Sequence, residues 1–326
     1  MAEPIQAPKN DFAMEVLLAQ PRGFCAGVDR AIEIVERALE KYGAPVFVLH
    51  EIVHNKHVLE DLRARGVVFV DSLEQIPEGS VTVFSAHGVA ADIVKRGNSR
   101  SLRVIDATCP LVTKVHDQAQ RYEHSGREVI LVGHPGHPEV EGTRGRIEGP
   151  VHVLSTVEEV EQLRVKDPAR LAYVTQTTLS VDDTREVIEA LTRRFPEIKG
   201  PALKDICYAT QNRQDAVREM SGSIDLLLVV GSQNSSNSNR LRELGERKGV
   251  PAHLIDDERN LDPTWFRPGM RIGLTAGASA PEAVVAKVLD RLRSLGVHAI
   301  HEMDGKRESI VFKLPDELVP GIPPPS

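Results

Sequence analysis

The chain has 326 residues, enough for two domains or for three small ones. It carries 40 Lys and Arg residues against 47 Asp and Glu residues, and this net acidity argues against a broad nucleic-acid surface. Its apolar runs are too short to span a bilayer, its N-terminal segment lacks the apolar core of a secretory signal, and its three cysteines form a poor disulfide framework. We therefore expect a cytoplasmic protein without a membrane or nucleic-acid partner.

Short runs of β-branched residues alternate with helical patterns along the chain. Apolar residues between Val28 and Leu39 recur at helical spacing, a second helix fits Asn55–Arg65, and a long helix follows Pro281. This alternation predicts an α/β fold with mostly parallel sheets. The predicted strands are, in chain order, Met14–Gln20, Pro45–His50, Val67–Val70, Val81–Ser85, Arg103–Asp106, Glu128–Val132, Val151–Leu154, Leu171–Thr175, Asp225–Val230, Ala252–Ile255 and Arg271–Thr275.

A cysteine followed by two polar positions recurs three times. In each set the first polar position follows its cysteine by 28 or 29 residues, and every position lies just beyond a predicted strand. Because ligand groups gather at the carboxyl ends of parallel strands, we expect all of these side chains to meet at one site. The sets are Cys25, His54 and His87; Cys109, His137 and Thr177; and Cys207, Ser235 and Ser279.

This repeat predicts three related α/β units in a pseudo-threefold arrangement around the shared site. The predicted boundaries of the units are 14–101, 102–203 and 204–310. The remaining segments, 1–13 and 311–326, are predicted to be tails. Disorder is expected for Met1–Asn10 and for the proline-rich Leu314–Ser326.

The three cysteines are candidate metal ligands. A free cysteine by itself is most often a small buried hydrophobe, but Cys25 and Cys109 stand at strand-to-helix turns that favour the thiolate. Thiolates suit zinc or an iron–sulfur cluster, and a structural zinc site normally includes a close Cys-x-x-Cys pair, which the sequence lacks. Three cysteines on a four-iron cluster leave one iron open, so an open catalytic cluster is our preferred interpretation.

The polar positions of the repeat point to an anion. Ser235 and Ser279 begin helices, which is ordinary N-capping but also supplies donors for phosphate oxygens. Histidines at equivalent repeat positions add further donors, so we expect a pocket for one or two phosphate groups. The candidates are His54, His87 and His137, together with the helix start Ser235–Asn239 and Ser279.

Glu139 is the candidate general acid. A glutamate is ordinarily a solvated surface residue, but Glu139 lies two residues after His137 at the predicted site. Reductive chemistry consumes protons as well as electrons, which gives a carboxyl group at this position a role. Thr177 is the candidate to relay a proton or to orient a hydroxyl group.

With these residues assembled, the chain resembles the 4-hydroxy-3-methylbut-2-enyl diphosphate reductase (LytB) family. The resemblance covers about Glu15–Val285, and the site motifs match without a departure. The motifs that carry it are Arg22–Val28, Ser85–Val89, Asp106–Pro110, Gly136–Gly142, Thr175–Ser180, Ser235–Ser238 and Gly277–Pro281.

The resemblance implies a trefoil of three α/β units around one [4Fe–4S] cluster per chain, bound by Cys25, Cys109 and Cys207, with the fourth iron facing the substrate. It also implies that the histidines, Ser235, Ser236, Asn237 and Ser279 hold a diphosphate. Glu139 would then supply protons, Thr177 would position the substrate hydroxyl, and His137 would stand in the catalytic set beside them.

The implied reaction is the last step of the methylerythritol phosphate route to isoprenoids. An allylic diphosphate alcohol is reduced by two electrons to isopentenyl and dimethylallyl diphosphate. No Gly-x-Gly-x-x-Gly motif follows a predicted strand, so the electrons are expected from reduced ferredoxin or flavodoxin, with Arg144 and Arg146 as first candidates for its docking surface.

Two other functions fit parts of the sequence. One is a hydratase that uses an open iron as a Lewis acid without redox change, and it would turn over without an electron donor. The other is a phosphate-ligand binding protein whose cysteines hold structural zinc, and it would stay colourless in air.

Overall fold

The computed structural model describes residues 13–201 and 205–319, so residues 1–12 and 320–326 of the two predicted tails lie outside the described part. The chain forms two compact units. The smaller unit comprises Met1–Gly23 and Asn212–Arg307, and the larger unit comprises Phe24–Gln211 and Glu308–Ser326. Within the described ranges, no helix combines the length and the apolar character needed to cross a membrane.

Helices and strands alternate along almost the whole chain. The strands are β1 (Met14–Leu18), β2 (Val46–Leu49), β3 (Val67–Val70), β4 (Val81–Phe84), β5 (Arg103–Asp106), β6 (Glu128–Val132), β7 (Val151–Leu154), β8 (Leu171–Thr175), β9 (Leu226–Val230), β10 (Ala252–Ile255), β11 (Arg271–Ala276) and β12 (Val297–Glu302). The helices are α1 (Ala26–Tyr42), α2 (Lys56–Ala64), α3 (Ala91–Ser99), α4 (Pro110–His124), α5 (Pro138–Arg144), α6 (Val157–Gln162), α7 (Val181–Arg194), α8 (Tyr208–Ser221), α9 (Ser236–Arg247) and α10 (Glu282–Ser294).

The larger unit contains two parallel sheets. One has the strand order β3-β2-β4-β5, and the other has the order β7-β6-β8. All five residues of β8 are buried, as expected for a parallel strand that is covered on both faces. The sheets therefore bring the carboxyl ends of β4 and β8, which precede His87 and Thr177, to the edges where ligand groups are expected.

The smaller unit contains one parallel sheet with the order β10-β9-β11-β1-β12. Its interior strand β9 is buried along its whole length, and its apolar core joins Val16, Leu228 and Leu274 from neighbouring strands. The turns after β9 and β11 lead into α9 and α10, and these turns carry the serine and asparagine candidates.

The predicted α/β class with parallel sheets is confirmed, and all of the predicted strands are present in the described part of the chain. The sheets nevertheless cross the predicted repeat boundaries. β1, placed in 14–101, pairs with β11 and β12, and β5, placed in 102–203, pairs with β4. Local sequence patterns identify strands but not their partners, because the partner depends on long-range packing. The three boundaries themselves stay a prediction.

Residues 311–319 of the predicted C-terminal tail lie within the described part of the chain. Arg30 Nε donates a hydrogen bond of 2.7 Å to the carbonyl of Lys313. Leu314 packs against the core beneath α1, and Leu318 is buried in that core on a short 3₁₀ turn. The two leucines anchor a segment whose proline content alone indicates disorder.

Candidate functional site

The three repeat cysteines all belong to the larger unit, and each immediately precedes a helix. Cys25 precedes α1, Cys109 precedes α4 with Pro110 as its first residue, and Cys207 precedes α8. None forms a disulfide, and each side chain is half-buried. This placement at helix N-termini is the one that the sequence predicts, and it favours the thiolate.

Two of the cysteine sulfurs meet beside the first turn of α1. A Cβ atom at Gly27 would lie 2.6 Å from Sγ of Cys109 and 3.9 Å from Sγ of Cys25. Cys207 Sγ accepts from the backbone N–H of Thr210 at 3.4 Å. The glycine therefore keeps open the space that the thiols share.

The electrostatics of the thiols call for a positive centre. Burial, together with the nearby Cys25, raises the pKa of Cys109 to about 12 and that of Cys207 to about 11. A cation bound between these thiols would favour their thiolate forms, because a metal stabilises the charge that burial opposes. Within residues 13–201 and 205–319, no group of three or more His, Cys, Asp or Glu side chains is arranged to hold a metal ion. The soft, buried donor set with its open glycine fits a cluster of several irons.

Backbone hydrogen bonds tie two of the cysteines to earlier landmarks of the repeat. The N–H of Cys109 donates to the carbonyl of Ala86, next to His87, at 3.0 Å. The N–H of Cys207 donates to the carbonyl of Thr177 at the same distance. Cys109 is thus bonded to the neighbour of His87, and Cys207 to Thr177, the last polar positions of the preceding predicted repeats.

His54, His87 and His137 form one cluster in the larger unit. The rings of His54 and His87 are stacked, with centroids 4.1 Å apart. The ring of His137 meets both edge-on, at 5.6 Å from His54 and 5.8 Å from His87. The equivalence in repeat position that the sequence indicates thus corresponds to direct proximity.

Two of the three rings, those of His87 and His137, have lowered pKa values, which favour the neutral form. Burial, followed by repulsion from the other two rings, places the pKa of His87 well below its usual value. Burial and the nearby His54 lower the pKa of His137 to about 4. Nδ1 of His137 accepts a hydrogen bond of 3.1 Å from the N–H of Glu139, so the proton of the neutral ring resides on Nε2.

Two residues that were not predicted from the sequence, Glu51 and Ser85, orient two of these rings. Glu51 Oε2 lies 2.8 Å from Nδ1 of His54, and Ser85 Oγ lies 3.5 Å from Nδ1 of His87. The sequence indicates them only by position, because Glu51 lies three residues before His54 and Ser85 lies two residues before His87. Because Nδ1 of each ring is engaged in this way, Nε2 of His54 and of His87 can face a ligand.

Glu139 and Thr177 form a buried pair. Oε1 of Glu139 accepts the backbone N–H of Thr177 at 2.7 Å, and Oε2 accepts its hydroxyl at 2.9 Å. Burial raises the pKa of Glu139 to about 7, although both bonds from Thr177 act to lower it. A carboxyl group with this pKa is balanced between its acid and base forms near neutral pH, as a proton donor should be.

The serine and asparagine candidates lie in the smaller unit. Ser235 caps α9 by accepting the N–H of Ser238, and Oδ1 of Asn237 accepts the N–H of Ala278 at 2.9 Å. The Nδ2 atom of Asn237 is buried and has no hydrogen-bond partner among the described residues. Ser236 begins α9, and Ser279 stands at the turn before α10. The Asn237 amide thus offers a desolvated donor of the kind that an anion satisfies.

The chain matches the family model described as LytB protein over residues 16–293. It is 58% identical over 309 residues to the 4-hydroxy-3-methylbut-2-enyl diphosphate reductase of Hahella chejuensis, covering 94% of this chain and 98% of the relative. Over 304 residues it is 60% identical to the enzyme of the same name from Bordetella bronchiseptica, covering 93% of each chain.

Solved structures agree with these matches. The E-1-hydroxy-2-methyl-but-2-enyl-4-diphosphate reductase of Plasmodium falciparum superposes with a TM-score of 0.90 at 37% identity, covering 94% of this chain and 97% of the other. A second structure, of an (E)-4-hydroxy-3-methyl-but-2-enyl diphosphate reductase described as the terminal enzyme of the non-mevalonate pathway, gives a TM-score of 0.62 at 31% identity, covering 86% and 99%. The resemblance predicted from the motifs is confirmed, and the chain belongs to the LytB family.

Proposed function

We propose that this protein reduces (E)-4-hydroxy-3-methylbut-2-enyl diphosphate to isopentenyl and dimethylallyl diphosphate. The observation that carries the proposal is the cluster of His54, His87 and His137. It lies in the same compact unit as the Glu139–Thr177 pair and three cysteines that form no disulfide. Anion donors, thiolate ligands and a buried acid are the groups that reductive removal of a hydroxyl from a diphosphate alcohol requires.

The proposed cofactor is one [4Fe–4S] cluster per chain, bound by Cys25, Cys109 and Cys207. When bound, it supplies an iron without a protein thiolate, which can polarise the substrate hydroxyl, and it delivers electrons. The protein's contribution is to exclude side chains from the shared space, which Gly27 does, and to start a helix behind each thiol.

The three histidines are proposed to bind the diphosphate as hydrogen-bond donors. The pKa values of His87 and His137 are lowered, so an anion bound beside these rings would raise both values and draw protons onto them. The residues of the smaller unit proposed to contribute further donors are Ser235, Ser236, Asn237 and Ser279. The buried Nδ2 atom of Asn237 supports this assignment because an anion would complete its hydrogen bonding.

Glu139 is proposed to deliver the proton that turns the leaving hydroxyl into water. The reaction consumes two electrons and two protons: the allylic carbon–oxygen bond breaks, one proton leaves with the oxygen as water, and the other adds to carbon at either end of the allyl group. Thr177 holds the carboxyl group in one orientation and is available to position the substrate hydroxyl. His137, whose Nδ1 accepts the N–H of Glu139, aligns the start of α5.

The electron donor is proposed to be reduced ferredoxin or flavodoxin. Of the two arginines considered for its docking, Arg144 is exposed beside Glu141, whereas Arg146 is half-buried and donates to the carbonyl of Val89 at 2.8 Å. Arg144 is therefore the better candidate of the two. A cytoplasmic location is proposed with it, because free thiols and a reduced donor both suit a reducing compartment.

The first experiment is an analysis of iron, acid-labile sulfide and zinc in protein purified without oxygen. We expect iron and sulfide in equal amounts, about four of each per chain. The protein should then consume the diphosphate alcohol only when a reduced dye is present. Turnover without a reductant would favour the hydratase, and zinc without sulfide would favour the binding protein.

A further inference from the structure

One buried imidazole lies outside the proposed machinery yet packs against two of its segments. His116, on α4, is 3% exposed. It belongs to the same helix that begins at Cys109, and it faces the turn that follows His87. Its Nε2 atom is buried and has no hydrogen-bond partner among the residues that the structure describes. A leucine would fill such a space without leaving a polar atom unsatisfied, so the imidazole calls for an explanation.

The turn against which His116 packs is made by Gly88. This glycine has a φ of +78°, and its N–H donates to the carbonyl of Ser85 at 3.1 Å, so the chain reverses direction immediately after His87. A Cβ atom at Gly88 would lie 2.6 Å from Cε1 and 3.3 Å from Nε2 of His116, and 3.2 Å from the methyl group of Thr108. The flat ring therefore lies directly against the backbone of the turn.

A second helix touches the same peptide. A Cβ atom at Gly142, on α5, would lie 3.1 Å from the carbonyl oxygen of Gly88. α5 carries His137 at its N-cap and Glu139 in its first turn. The Gly88 turn is thus in contact with the helix behind Cys109 and with the helix behind His137.

The charges around His116 keep its ring neutral. Burial and the nearby guanidinium of Arg146 lower its pKa to about 4, against the opposing effect of Asp106. A neutral ring packs against a backbone turn without introducing a further charge beside the histidine cluster.

We propose that His116 is a positioning residue for diphosphate binding, acting through His87. The ring supports the Gly88 turn from α4 and thereby sets the position of His87 relative to His54 and His137. The proposal rests on the proposed function, because it assumes that the histidine cluster binds the diphosphate.

The test compares His116→Ala, His116→Gln and His124→Ala in the cluster-loaded protein. His124 is the control because it is an exposed histidine at the end of the same helix. Calorimetry measures the affinity for inorganic diphosphate, steady-state kinetics give KM and kcat, and iron and sulfide contents are measured in parallel. For His116→Ala we expect both Kd and KM to rise about tenfold with kcat within about twofold of wild type. We expect His116→Gln to recover much of the affinity and His124→Ala to behave as wild type.

A double-mutant cycle distinguishes positioning from general support. If His116 acts through His87, then His116→Ala adds little to the loss of affinity already caused by His87→Ala. The proposal would be overturned if His116→Ala lowered the affinity by the same factor in the wild-type and His87→Ala proteins. It would also be overturned if His116→Ala left the affinity unchanged, or if both His116 variants lost iron in parallel with affinity. Wild-type protein that reduces no diphosphate alcohol and binds no inorganic diphosphate would instead count against the proposed function.

Discussion

Glu139 and Thr177 share two hydrogen bonds that both end on the carboxylate, one from the backbone N–H at 2.7 Å and one from the hydroxyl at 2.9 Å. These bonds stabilise the charged form, whereas burial stabilises the neutral form and dominates. The pKa of about 7 is therefore a balance that either residue can disturb.

Glu139→Gln should lower kcat by about 100-fold or more while leaving diphosphate binding nearly intact, because glutamine keeps the shape but has no acidic proton. In the wild-type enzyme, kcat should fall as pH rises through about 7, since Glu139 loses its proton there. The variant should lack this fall. The pH profile of kcat for both proteins, with iron content as the control, checks the prediction. A variant with full cluster content and near wild-type turnover would remove Glu139 from the mechanism.

Thr177→Val should shift the same part of the profile to higher pH. The substitution removes the hydroxyl that donates to Oε2 and keeps the backbone donor to Oε1. With one stabilising bond fewer, the carboxylate becomes less favourable and the pKa of Glu139 rises. The measurement is again the pH dependence of kcat. A shift to lower pH would contradict this account of the pair.

Gly27→Ala should prevent normal cluster assembly although alanine is the better helix former. The added methyl group would lie 2.6 Å from Sγ of Cys109, closer than packed atoms approach. We expect less than about half of the wild-type iron content, with the circular dichroism of the helices retained. Gly222→Ala is the matched control, because nothing lies within 4 Å of its Cβ position. Equal iron in the two variants would show that the thiols have room to move aside.

Diphosphate binding should take up protons near neutral pH. Burial lowers the pKa values of His87 and His137, and a bound anion would raise them. Each ring therefore gains a proton on binding at any pH between its lowered and its raised pKa. Affinity should therefore increase as pH falls toward 6. Calorimetry with inorganic diphosphate in buffers of different ionisation enthalpy measures the number of protons directly. An observed enthalpy independent of the buffer would rule out this coupling.

Asn237→Asp should weaken diphosphate binding by about tenfold or more without unfolding the protein. Aspartate keeps the oxygen that accepts the N–H of Ala278, but it replaces the buried amide donor with a charge of the same sign as the ligand. Asn98→Asp, at an exposed position of α3, is the control for the added charge. Equal affinities would place Asn237 outside the diphosphate site.

Much of this architecture could be predicted because repetition and alternation are local properties of the sequence. The strands before His87 and Thr177 could be predicted from their β-branched residues. The repeat position that His54 and His137 share indicated that the two side chains lie close together. β12 was not predicted, since its sequence mixes polar and apolar residues at the edge of a sheet and lacks a clear alternation.

What could not be predicted depends on contacts between distant segments. His116 reads as one polar residue within an amphipathic helix, and only the packed structure places its ring against Gly88. The pKa of Glu139 likewise depends on burial and on Thr177, 38 residues away in sequence. The packing of Leu314 and Leu318 on the apolar core likewise depends on distant residues, and the proline content of this segment does not indicate it.

The hydrogen bonds from Cys109 to Ala86 and from Cys207 to Thr177 constrain how such a protein can be rearranged. A chimaera that takes one whole predicted repeat from a relative would separate these bonded pairs. A cysteine of one protein would then follow a strand end of the other. A chimaera that imports the strand end together with the cysteine that follows it would keep each bonded pair intact. We therefore expect chimaeras that exchange a strand end together with its following cysteine to bind more iron than chimaeras that exchange a whole predicted repeat.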